Sequence, residues 1–148
     1  MEHLTYEIDI NAPISTIWNT LVQSETYKVW VKAFSPKSYF DGEWIQGTEI
    51  RFLDPDMGGT KAVLEIVEPG KRLLAKHVAL ISKEGKESTS GEMADKWLGT
   101  TEDYVLSREG DISKLVINIK THEDFVPMFN DAWPKAIASI KELSEKNA

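Results

Sequence analysis

A chain of 148 residues that is 41% hydrophobic and 28% charged has the composition of a soluble globular protein, expected to form one domain over residues 1–148. Its 17 Lys and Arg are scattered among 24 Asp and Glu, so the charge of −7 comes without the basic stripe that tracks phosphates, and nucleic acid is not an expected partner. The absence of cysteine excludes disulfides, thiolate nucleophiles and cysteine-ligated zinc.

The N-terminal stretch MEHLTYEIDI lacks the apolar core of a signal peptide, so a cytoplasmic address is expected. Within it Leu4, Tyr6, Ile8 and Ile10 alternate with Thr5, Glu7 and Asp9, the period of a strand with one buried face. In NAPISTIWNTLV, Ile14, Ile17, Trp18, Leu21 and Val22 recur at helical spacing, and Pro13 suits a first turn. A second short helix, with Ser24 as its cap, is expected to bury Tyr27, Trp30 and Val31 and to stop near Ser35-Pro36. Strand-like pieces follow at 37–40, 48–53, 61–68, 72–81, 101–108 and 113–121, separated by DGE, DPDMGG, EPGK and EGD turns.

Residues 82–99 differ: they are polar and rich in Ser and Gly, with Met93, Trp97 and Leu98 as apolar anchors. A short helix around Met93 and Trp97 and a lid function are the expectations for this segment. The longest apolar run, Val78 to Ile81, is far too short to span a membrane. A long helix over roughly 124–146 closes the chain. Its apolar arc holds Phe125, Phe129, Ala132, Trp133, Ala136, Ile137, Ile140 and Leu143. Pro134 lies inside this helix but outside the arc, which predicts a bent helix with the proline toward solvent rather than a break. One strand, two short helices, six strands and a long helix make an α+β architecture.

Four stretches carry a family resemblance. INAPISTIWNTL, GEWIQGTEIRF, EIVEPGKRLLAKH and DAWPKAIASIKEL are similar, in that order, to segments of the START-like (SRPBCC) superfamily. Its branch of activator of heat-shock protein ATPase homologues (AHSA-type) is resembled most. The resemblance implies the helix-grip fold, a curved antiparallel sheet of about seven strands wrapped around a long C-terminal helix. It also implies a cavity between sheet and helix that often takes an apolar small molecule. Function does not follow from it, because the superfamily holds lipid and hormone carriers, polyketide cyclases, oxygenase subunits and co-chaperone domains.

Motifs for chemistry are sparse. His3, His77 and His122 form no local metal pair, and His3 and His122 read as solvated residues. There is no G-x-S-x-G elbow, P-loop or dinucleotide fingerprint, so neither a metal nor a cofactor is expected. Asp54 and Asp56 read as turn residues, and Glu102 and Asp103, beside Tyr104, as solvent-facing charges at a strand start, with a carboxylate near the cavity as the alternative. His77, by contrast, shares a strand face with Leu73, Ala75, Ala79 and Ile81, which turns a titratable ring inward.

Large aromatics line apolar pockets readily, and so the expected ligand contacts are Trp30, Phe34, Phe52, His77, Tyr104, Phe129, Trp133 and Ile137. The leading expectation is a protein that encloses a small, largely apolar ligand, lipid-like or polycyclic. One alternative is a cyclase-type enzyme with His77 and Tyr104 as acid/base groups. The other is a co-chaperone-like regulator of a heat-shock ATPase, although no feature of the chain indicates a protein partner.

Overall fold

In the computed structural model, which describes residues 1–148, the period-two stretch forms β1 (Glu2–Ile10). Two helices follow, α1 (Ile14–Val22) and α2 (Ser24–Trp30), then a 3-10 turn at Val31–Ala33. The meander comprises β2 (Tyr39–Asp41), β3 (Glu49–Asp54), β4 (Gly58–Glu68) and β5 (Arg72–Ile81). Beyond it lie the two-residue β6 (Glu87–Ser88), α3 (Glu92–Trp97), β7 (Thr101–Glu109) and β8 (Ile112–Thr121). A 3-10 turn at Glu123–Phe125 leads into α4 (Val126–Lys146).

All strand pairings are antiparallel, in the order β1-β8-β7-β5-β4-β3-β2. The seven expected strands are present, and an eighth, β6, pairs with the end of β5 inside the segment expected to be a loop. The fold is the α+β helix grip that the resemblance implies. No helix is long and apolar enough to cross a membrane.

Two local expectations are corrected. Ser24 is the first helical residue of α2 rather than its cap, and Gln23 holds the cap position without a side-chain bond. The junction is held from the other side: Thr26 Oγ1 and Trp30 Nε1 both donate to the Thr20 carbonyl, at 2.9 and 3.0 Å. These bonds satisfy a carbonyl that the end of α1 leaves free, and they fix the Trp30 ring. Pro13 sits one residue before α1, where its carbonyl accepts from the amides of Thr16 and Ile17.

The apolar arc of α4 buries Phe129, Ala132, Trp133, Ala136, Ile137 and Ile140, and these spacings put them on one helical stripe. The helix runs unbroken through Pro134, which is exposed as its place outside the arc demands. The C-terminal half is pinned by polar contacts. Lys141 Nζ donates to the Asp9 carbonyl at 2.7 Å, Glu145 accepts the Asn11 amide at 2.9 Å, and Ser144 donates to Thr20 at 3.0 Å. The N-terminal half is left to face the concave side of the sheet.

Register irregularities shape that side. Lys61 pairs with Ala79 but Ala62 with His77, so Val78 has no partner and β5 bulges beside His77. The His77 backbone then bonds toward β7, donating to the Thr100 carbonyl at 2.9 Å and accepting from the Gly99 amide at 2.9 Å.

Candidate functional site

Between the sheet, α2 and the N-terminal half of α4 lies a cavity of about 330 Å³. Tyr27 and Trp30 of α2, with Val31 and Phe34 after them, form one wall. Phe52 of β3 and Thr60 of β4 form a second, and Met128, Phe129 and Trp133 of α4 a third. His77 of β5, Trp97 of α3, and Glu102 and Tyr104 of β7 complete it. Met57 and Met128 are exposed, which marks the open end, whereas Trp133 is fully buried.

Trp133 is the centre of the aromatic packing. Its ring stacks on Tyr6 and Trp30 at centroid distances of 6.4 and 5.9 Å. It meets Phe34 and Tyr104 edge-on at 5.2 and 5.7 Å. Its buried indole N–H has no hydrogen-bond partner within the protein.

Seven of the eight expected contact residues (Trp30, Phe34, Phe52, His77, Tyr104, Phe129 and Trp133) line this cavity. Ile137 does not. It is buried in the core one turn further along α4, where the helix packs down and leaves no space.

One polar cluster interrupts the apolar wall. His77, only 2% exposed, places Nε2 at 2.8 Å from Glu102 Oε1 and Nδ1 at 3.0 Å from Thr60 Oγ1. Thr60 also accepts the Trp97 indole N–H at 3.1 Å and lies 3.1 Å from the Ala79 carbonyl. Tyr104 donates its hydroxyl to Glu102 Oε2 over a longer 3.3 Å. His77 meets the carboxylate as a donor through Nε2, and the single Thr60 hydroxyl proton goes to the Ala79 carbonyl or to His77 Nδ1 according to the tautomer of the ring.

Glu102 therefore takes the alternative place, as a cavity carboxylate rather than a solvent-facing charge: its side chain is 18% exposed and turned into the cavity. The signal was available, since Glu102 lies two residues before Tyr104 and strand alternation puts both on one face. Its neighbour Asp103 points the other way and pairs with Arg72 through two bonds of 3.0 Å.

Burial pushes the Tyr104 hydroxyl well above its usual 10.0, and the Glu102 carboxylate pushes the same way. Tyr27 is raised by the same two causes in the same order. Both phenols thus stay protonated near neutrality, and Tyr104 serves the cavity as a donor. Of the four tyrosines, Tyr27 and Tyr104 are expected to show no tyrosinate absorbance in an alkaline titration until the protein unfolds. Because their folded values are raised, the associated stability is complete below about pH 10 and lost as the pH rises beyond it. Full titration of all tyrosines in the folded protein would contradict the burial.

Asp54, at the open end, accepts from the Ser35 hydroxyl and from the Asp56 amide, and these bonds hold its carboxyl below the usual range, the Ser35 bond most. This is the turn role read from the sequence. His122, Glu123 and Asp124 bring ligand atoms within 4.8 Å of one another. The His122 ring, however, accepts the Asp124 amide as the cap of a 3-10 turn, and Asp124 pairs with Lys96 at 2.7 Å. Of residues 82–99 only Trp97 lines the cavity, packed 4.8 Å from the His77 ring and 5.0 Å from Phe125, while Met93 is exposed and anchors nothing.

No family model matches the chain, and no curated protein sequence is similar to it. Solved structures are similar in fold. An Aha1 dimer from Colwellia psychrerythraea shares 21% identity with a TM-score of 0.73, over 98% of this chain and 97% of that one. Protein MLL2253 from Mesorhizobium loti shares 17% at a TM-score of 0.75, over 99% of each chain. CalU16 from Micromonospora echinospora shares 14% at 0.66, over 98% of this chain and 77% of its own. Identities this low carry the architecture alone. The chain has the same α+β helix-grip fold as these three structures.

Proposed function

We propose that the protein binds a small, largely apolar ligand in the cavity between sheet and α4. The observation that carries this reading is the wall itself. Rings of Tyr27, Trp30, Phe34, Phe52, Trp97, Tyr104, Phe129 and Trp133 surround about 330 Å³ of space, and the His77 and Thr60 side chains among them are already hydrogen-bonded to Glu102 and Trp97. Such a surface gains by covering apolar area, at about 25 cal/mol per Å², and orients its guest through few polar atoms. A neutral apolar fluorophore such as Nile red is expected to bind at one equivalent per chain. Phe34→Ala, which removes a half-buried wall ring, is expected to weaken it about tenfold. If no member of a panel of neutral polycyclic and sterol probes binds, the reading fails.

The His77–Glu102 contact of 2.8 Å favours a second reading, acid/base catalysis on a bound substrate. A histidine held by a carboxylate is a suitable proton carrier. Tyr104 supports it less, since its raised value makes it a poor proton donor or base near neutrality. Binding needs only that the cavity be filled, so it stands as the primary conclusion.

A further inference from the structure

Resting on the ligand-binding reading, we infer that the cavity selects an apolar amine, held as an ammonium by Glu102, and rejects carboxylates and other anions. The charges of the lining support this. Two carboxylates, Glu102 inside and Asp54 at the open end, face the cavity, and no Lys or Arg lines it. The one group there able to become cationic, His77, has both ring nitrogens engaged by Thr60 and Glu102. An anion entering this space would give up its water and face two carboxylates with only neutral donors such as the Tyr104 hydroxyl to receive it, which is costly.

For a cation the same wall is complementary. Glu102 Oε2 has only the 3.3 Å Tyr104 contact, well beyond the usual O–H···O distance of about 2.7–2.8 Å, so an acceptor site remains for an N–H donor. A bond from an ammonium to this carboxylate is charge-assisted and stronger than one from an alcohol. Trp30, Phe34 and Phe52 line the same space, and an aromatic ring attracts a cation that comes within about 6 Å of its centre. A carboxylate in a cavity walled by aromatic rings suits an organic ammonium group, and a neutral hydrocarbon would leave the Oε2 site unused.

The experiment compares three naphthalenes that differ only in the head group: 1-naphthylmethylamine, 1-naphthalenemethanol and 1-naphthoic acid. Each is titrated calorimetrically into the full chain at neutral pH, and into Glu102→Gln, with circular dichroism and melting to check the fold. The amine is expected to bind roughly tenfold tighter than the alcohol, and the acid weakest of the three. Glu102→Gln should bring the amine to the level of the alcohol and leave the alcohol within about threefold. An acid that binds as tightly as the amine overturns the inference, as does an amine affinity unchanged in a folded Glu102→Gln. Either result leaves the ligand-binding reading standing if the alcohol binds. Failure of all three to bind overturns the amine inference, and the neutral polycyclic and sterol panel then decides the ligand-binding reading. Should Glu102→Gln not fold, the head-group order in the unsubstituted protein decides.

Discussion

Trp133→Ala is expected to lower the free energy of unfolding by about 3–5 kcal/mol, measured by chemical denaturation. The indole is fully buried and touches Tyr6, Trp30, Phe34 and Tyr104 on four sides. Those rings come from β1, α2, the stretch after it and β7, so one side chain joins helix to sheet. The cavity left by its removal would open into the one already present, and the surrounding rings cannot all shift inward without losing their other contacts. No protein hydrogen bond is lost, because the indole N–H has no partner, so the whole cost is packing. Trp133→Phe keeps most of that packing and is expected to cost roughly 1–3 kcal/mol. A loss below about 1 kcal/mol for Trp133→Ala would mean that the helix does not depend on this contact. The size of the effect also makes Trp133→Ala a poor probe of ligand affinity, which is why the binding test uses Phe34.

Gly59→Ala is expected to cost about 3 kcal/mol or more, for a reason that involves no apolar contact. A Cβ at this position would lie 1.9 Å from the Phe52 carbonyl oxygen and 2.9 Å from the Leu53 Cα. Both are backbone atoms of β3, the strand to which β4 is paired at Leu53↔Gly59, so neither can move without opening the hairpin. Because Phe52 and Thr60 of that hairpin form a cavity wall, binding of an apolar probe should fall with stability. Gly85 gives the control. Its φ is +87° but a Cβ there meets nothing within 4 Å, so Gly85→Ala isolates the backbone penalty. That penalty is about 1–2 kcal/mol. Equal losses in the two variants would show that β3 and β4 approach less closely than described.

What could be read along the chain is what has a local cause. The period of two over Leu4–Ile10 fixed one face of β1, and the 3.6 period of α4 placed Trp133 inward and Pro134 outward whatever the partners were. His77 could be turned inward on the same ground, because its strand neighbours at even spacing are all apolar. The alternation that worked for His77 applied equally to Glu102, but a carboxylate is so seldom buried that composition outweighed period. What makes its burial tolerable is His77, 25 residues away in sequence.

Such pairings belong to tertiary structure alone. The bulge at Val78, the bond from Trp97 to Thr60 across 37 residues, and the edge-on contact of Phe34 with Trp133 depend on how β5, α3 and α4 meet. Ile137 shows the same limit from the other side. Its place on the apolar arc required burial and was met, yet only the packing of α4 on α1 and β1 decided that it fills core while Phe129 and Trp133 face space. A sequence period specifies which side of an element leaves water, since that depends on the element's own geometry. Whether that side meets another side chain or a cavity is set by distances between elements, and those are fixed only when the whole core packs.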